Sequence, residues 1–155
     1  RTDMPGTLSY QVLEAAGSKN VVTADQELRN DGQKGYASVE QIYLWDPDLI
    51  LVNEPGAWEY FRTDAKFSGL RAVREGAVYQ LPVGLSRWAH PGSLESPLAV
   101  LYIASTLYPE YFSDIDMTEE IRDFYDTFFH IALTEEDIGK ILKGEGMRTP
   151  REEEH

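Results

Sequence analysis

Apolar positions in this chain fall into two alternating patterns, helical spacing and short continuous runs. Between Thr7 and Ala16, the residues Leu8, Val12, Leu13 and Ala16 share one helical face and Gly17 supplies a stop, which predicts a surface helix. Asn20-Val21-Val22-Thr23 reads as a short strand, and the polar, glycine-punctuated stretch from Asp25 to Gly35 as a loop. Ser38 and Gln41 have the spacing of a capping box, and Val39, Ile42 and Tyr43 follow at helical positions until Asp46-Pro47 ends the helix. Directly after it, Leu49-Ile50-Leu51-Val52 has the pattern of a parallel strand covered on both faces, broken by Asn53-Glu54-Pro55-Gly56.

The cycle then repeats. Phe67 to Val73 reads as a short helical connection, Gly76 turns the chain, Ala77 to Leu81 is a strand, and Pro82-Val83-Gly84 stops it. Two helix-then-strand units predict an α/β domain. The remainder is helical. Pro97 to Leu107 is apolar nearly all round and therefore buried, while Ile121, Phe124, Tyr125 and Phe128 keep the i, i+3, i+4, i+7 spacing. Leu133, Ile138, Ile141 and Leu142 mark a last amphipathic helix.

Composition narrows the function. A length of 155 residues fits one domain, and 14 basic against 27 acidic residues leave a net charge of −13, which repels phosphate backbones and anionic lipid surfaces and argues against nucleic-acid binding. The absence of cysteine removes thiolate zinc sites, iron–sulfur clusters and cysteine nucleophiles. No apolar run approaches the roughly 20 residues that span a bilayer, and the opening Arg1-Thr2-Asp3 is neither a signal peptide nor an initiator, so Arg1 is expected to lie inside a longer precursor. Residues 144–155, ending in Arg151-Glu152-Glu153-Glu154-His155, read as a charged, flexible tail.

In an open parallel sheet ligands collect outside the carboxyl ends of the strands, which here are Asn53 to Trp58 and Pro82 to His90. These loops carry Asn53, Glu54, Trp58, Arg87, Trp88 and His90, a mixture suited to a large, partly apolar ligand. Trp58 and Trp88 either present rings to that ligand or close the sheet edge as core. Arg87 either pairs with ligand carboxylates through its forked donors or with a surface acid. His90 lacks a carboxylate at metal-ligand spacing and reads as a satisfied loop histidine, so no metal site is expected. Glu119-Glu120 and Glu135-Glu136 stand at helix starts, where anions suit the dipole. Ser93-Leu94-Glu95-Ser96 lacks the glycines of a nucleophile elbow, and no phosphate loop or dinucleotide fingerprint is present, so no catalytic residues, no cofactor and no enzymatic activity are expected. Ser96-Pro97 has the form of an N-cap and first helical residue, which sets Glu95 just outside a helix start; there it either docks into an arginine pocket of a partner or complements the helix end.

The order Ala37-Ser38-Val39-Glu40-Gln41-Ile42, Trp45 to Val52, Leu70-Arg71-Ala72-Val73 and Val78-Tyr79-Gln80-Leu81-Pro82 resembles the second lobe of the periplasmic binding proteins for ferric siderophores, haem and cobalamin. Trp88 to Ala99, followed by Leu107-Tyr108-Pro109-Glu110, looks like a subgroup of iron-compound binders, and the resemblance covers residues 7 to 143. It implies a Rossmann-like, three-layer α/β/α lobe with a short, mostly parallel sheet over residues 1–143, whose partner lobe lies outside this sequence. It also implies a solute-binding component of an ABC importer, extracytoplasmic, holding an iron siderophore, haem or corrinoid in a cleft between the lobes. Carried over by position, the ligand-facing candidates are Arg1, Tyr36, Trp58, Arg87 and Trp88, beside Asn53 from the strand-end reading, with Glu95 as the carboxylate that meets the permease subunits. Two other readings stand beside it: half of a bilobed metallocofactor enzyme, and an acidic interaction module. A lobe without its mate also exposes a former interface, which favours self-association.

Overall fold

The computed structural model describes residues 1–26, 28–30 and 34–147. Its centre is a two-stranded parallel sheet of β4 (Ile50–Val52) and β5 (Val78–Gln80), paired Ile50 to Val78, Leu51 to Tyr79 and Val52 to Gln80. Side chains alternate across a strand, so the pairing sorts the two faces. Leu51 and Leu81 face a core built with Val12, Ala16, Leu98, Ile103, Ile121, Tyr125, Ile138 and Ile141. Val52 and Val78 face the other way, where Phe67, Leu70 and Ala72 are also buried.

Seven helices surround this sheet: α1 (Leu8–Ala15), α2 (Val39–Trp45), α3 (Ala57–Thr63), α4 (Arg71–Arg74), α5 (Ser96–Leu107), α6 (Met117–Phe129) and α7 (Glu135–Leu142). Local chemistry sets their starts. The hydroxyl of Thr7 accepts from the Tyr10 amide, that of Ser38 from the Gln41 amide, and Thr134 with Asp137 forms a reciprocal capping box. Glu119 and Glu120 occupy the first turn of α6, and Glu135 and Glu136 that of α7, as expected of anions at the positive end of a helix. The fold is α/β, in agreement with the sequence, and none of its described helices is long and apolar enough to cross a membrane.

Several elements differ from expectation. Asn20 to Thr23 is not a strand; Val22 is fully buried and its amide is held by the Asn20 side chain at 3.0 Å, a local turn that competes with strand pairing. The expected loop from Asp25 to Gly35 carries β2 (Arg29–Asn30) and β3 (Lys34–Tyr36), which join β1 (Thr2–Asp3) in a small antiparallel sheet ordered β1-β3-β2. Strands of two and three residues are too short to show a period in sequence. Half of the sheet structure is therefore antiparallel rather than mostly parallel. The Phe67 to Val73 connection splits into a 3-10 turn, Ala65–Phe67, and α4, and α3 occupies residues expected as loop. The tail expected from residue 144 is docked at its beginning: the Met147 amide donates to the Gly84 carbonyl at 3.3 Å and Met147 packs against the core, while the rest lies outside the described residues.

Candidate functional site

The carboxyl ends of β4 and β5 open onto a groove of about 850 Å³ that runs along the outer edge of β4. Arg1, Asn53, Glu54, Arg87 and His90 line one part of it, and Leu13, Val39, Ile42, Trp45, Leu49 and Leu51 another. Desolvation raises the Asp3 carboxyl above its usual range, opposed by Lys34, Ser9 and His90, which places β1 beside the His90 loop. Thus residues 53–54, residues 87–90 and the start of the chain share one rim.

Arg87 and Glu54 tie the two strand-end loops together, with Nη1 and Oε2 2.5 Å apart. The Arg87 side chain is 31% exposed and that of Glu54 72%, so the pair is half solvated and its ions can exchange partners. Asn53 Oδ1 and Trp45 Nε1 are buried and lack hydrogen-bond partners among the described residues. Lys19, Lys34 and Lys66 also line the groove, so five lysine and arginine side chains face two carboxylates, Asp3 and Glu54. That local excess of +3 stands within a chain of net charge −13. Lys66 is held by Asp64 at 3.1 Å and by the Tyr60 hydroxyl.

The loop presenting Arg87 is fixed from beneath. Its tip folds back through Gly84 N to Ser86 O at 2.9 Å and Trp88 N to Pro82 O at 3.1 Å, with Val83 and Arg87 bridged antiparallel. Glu95, fully buried, accepts from the amides of Leu85 (2.9 Å) and Ser86 (3.0 Å), from the Ser86 hydroxyl (2.6 Å) and from the Tyr125 phenol. Four donors on one carboxylate compensate its desolvation. Burial, then the Glu95 carboxylate, push the Tyr125 phenol well above its ordinary value. A Cβ on Gly84 would collide with both Tyr125 Oη and Glu95 Oε1, so only glycine fits at the turn.

This geometry corrects three sequence expectations. Glu95 is not an exposed docking carboxylate, because α5 begins one residue earlier than expected and makes Glu95 its N-cap, turned inward onto the loop. Trp88 is core rather than ligand surface: it is 0% exposed and meets Tyr102 edge-on at 6.2 Å. Ala89 follows in the left-handed region at φ 57°, and the chain reverses there so that Trp88 points in while His90 lines the groove. Trp58 does not line the groove. Its indole donates to the Val78 carbonyl at 2.8 Å on the outer edge of β5, and Arg62 stacks on its ring at 4.4 Å. Tyr36 is 42% exposed, stands under Arg29 at 5.7 Å and is not part of the groove lining. Of the sequence candidates, Arg1, Asn53 and Arg87 come together. Lys19 and Lys34 were missed because isolated lysines in presumed loops carry no spacing signal. Among the described residues no three His, Asp or Glu side chains gather as metal ligands.

No protein-family model matches the chain. It is 25% identical over 139 residues to the molybdate-binding protein MolA of Haemophilus influenzae, covering 87% of this chain and 38% of that protein. An ABC transporter solute-binding protein from Sulfurospirillum deleyianum superposes with a TM-score of 0.79 at 29% identity, covering 92% of this chain and 43% of that one. A periplasmic solute-binding protein from Veillonella parvula gives 0.73 at 25% identity, covering 90% and 43%. The chain is thus homologous to periplasmic solute-binding proteins of ABC transporters and adopts the α/β fold of one of their lobes. It spans less than half the length of these relatives.

Proposed function

We propose that this chain is one lobe of an extracytoplasmic solute-binding component of an ABC importer, and that its solute is anionic, an oxyanion or a negatively charged metal chelate such as a ferric siderophore. The observation carrying this reading is the net positive groove at the strand ends of a strongly acidic chain, with Arg87 held only by a half-solvated partner. Cations concentrated in a concave site raise the local concentration of an anion, and the forked donors of Arg87 match carboxylate or oxyanion geometry. The relative named for molybdate supports the oxyanion arm, and the resemblance to siderophore binders the chelate arm. Haem and corrinoids fit less well, because Trp88 is buried in the core and Trp58 covers a sheet edge, which removes both large rings from the groove. With its relatives being transport proteins, the reading assigns no catalysis to the lobe; its partners are the second lobe and the permease subunits.

Calorimetric titration of the longer, two-lobed protein with molybdate, an anionic ferric chelate and nickel ion tests this. Micromolar or tighter binding of one of the anions is expected, with nickel binding at least tenfold weaker. Binding of nickel alone, or of none of the three, would overturn the anionic reading.

A further inference from the structure

The two outer edges of the parallel sheet are treated differently. On β5 the outward carbonyls are occupied, that of Val78 by the Trp58 indole at 2.8 Å and that of Gln80 by the Tyr102 hydroxyl at 3.3 Å. On β4 the amide of Ile50 and the carbonyl of Val52 bond towards β5, through Ala77 O at 2.9 Å and Leu81 N at 2.8 Å. Leu51, between them, therefore turns its amide and carbonyl away from β5. β4 has no second neighbour in its sheet. An exposed strand edge is a template for another extended chain.

Beside that edge lies the apolar part of the groove, walled by Leu13 of α1 and by Val39, Ile42 and Trp45 of α2. Apolar walls from two helices are what a strand covered on both faces requires. The orphaned polar atoms of Trp45 and Asn53, one before β4 and one after it, flank the same edge. Topology names the occupant. Helix α1 packs into the core against the Leu51 face and leads towards β4, but only two residues of strand, in a different sheet, precede it. A strand–helix–strand unit in one sheet is parallel, so a strand entering α1 would end near Arg1, beside the carboxyl end of β4. Arg1 does line the groove with Asn53 and Glu54.

We infer that the groove along β4 is the seat of a third, parallel strand, formed by about five apolar residues immediately upstream of Arg1 in the full protein. The span from Leu49 to Asn53 offers it roughly 16 Å of edge at about 3.3 Å per residue. This inference stands independently of the ligand reading.

Amide hydrogen exchange of the full protein tests it, with the 155-residue chain as reference. The Leu51 amide and the segment upstream of Arg1 are expected to be protected together in the full protein, with Leu51 exchanging at least a hundredfold faster in the 155-residue chain. Equal Leu51 rates in the two proteins, or an upstream segment exchanging at unstructured rates, would overturn it. Should the shorter chain not fold, cross-strand contacts between Leu51 and the upstream segment in nuclear Overhauser spectra of the full protein decide alone, and their absence would overturn it equally.

Discussion

Glu95 and Ser86 are joined twice: Oε2 of the glutamate accepts both the Ser86 amide, at 3.0 Å, and the Ser86 hydroxyl, at 2.6 Å. With Leu85 and Tyr125 on Oε1, one buried carboxylate holds the loop that presents Arg87 to the groove. Glu95→Gln places an amide donor among donors, and we expect a loss of about 2–4 kcal/mol, read as a lowered denaturation midpoint. A change below about 0.5 kcal/mol would remove the clamp from the account.

Gly84 sits against the same cluster, and its restriction is steric. Gly84→Ala forces a methyl group into Tyr125 Oη and Glu95 Oε1, so destabilisation of about 1–3 kcal/mol is expected by urea denaturation. Gly56, by contrast, has no heavy atom within 4 Å of such a methyl group, and its φ of 81° leaves only the left-handed strain of about 1 kcal/mol.

Tyr125 gives a pH dependence of known sign. Its folded-state pKa is raised from 10.0 by burial and by Glu95, so the folded chain holds the phenolic proton more tightly than the unfolded chain. The resulting stability is fully present below pH 10 and declines as pH rises above it. Tyr125→Phe should flatten the fall in thermal midpoint between pH 10 and 11.5. An unchanged slope in that variant would assign alkaline unfolding to other groups.

Trp88 and Trp58 separate core from surface by fluorescence. Trp88, wholly buried, is expected to emit in the blue and resist acrylamide, whereas Trp58, 36% exposed, is quenched. Trp88→Ala should cost about 3–5 kcal/mol. Efficient quenching in a Trp58→Phe, Trp45→Phe variant, where Trp88 is the remaining indole, would contradict its burial.

What the sequence disclosed follows from how local each feature is. The caps at Thr7 and Ser38, the run Leu49 to Val52 and the apolar spacing of α6 and α7 lie within a few residues of the elements they specify, and each is found in place. Helix α3 escaped because it starts from Gly56 in the left-handed region without a side-chain cap, directly after a turn-like Asn-Glu-Pro-Gly. The fate of Glu95 was illegible for a different reason: its donors lie up to ten residues upstream, at Leu85 and Ser86, and 30 downstream, at Tyr125. Likewise, the strand-end loops were found from the sheet pattern, but which side of a loop a tryptophan faces depends on backbone reversals such as that at Ala89. Arg1, Asn53 and Arg87 converge because they sit at strand ends, the one position that sheet topology fixes.

The central claim, that this lobe recognises an anion through Arg87, is tested most directly by comparing Arg87→Ala with the parent in the two-lobed protein. Because the Arg87–Glu54 pair is half solvated, its loss should change stability by less than about 1 kcal/mol. Affinity for the anionic solute identified by titration should fall at least tenfold, with a reduced salt dependence. Unchanged affinity at unchanged stability would contradict the account.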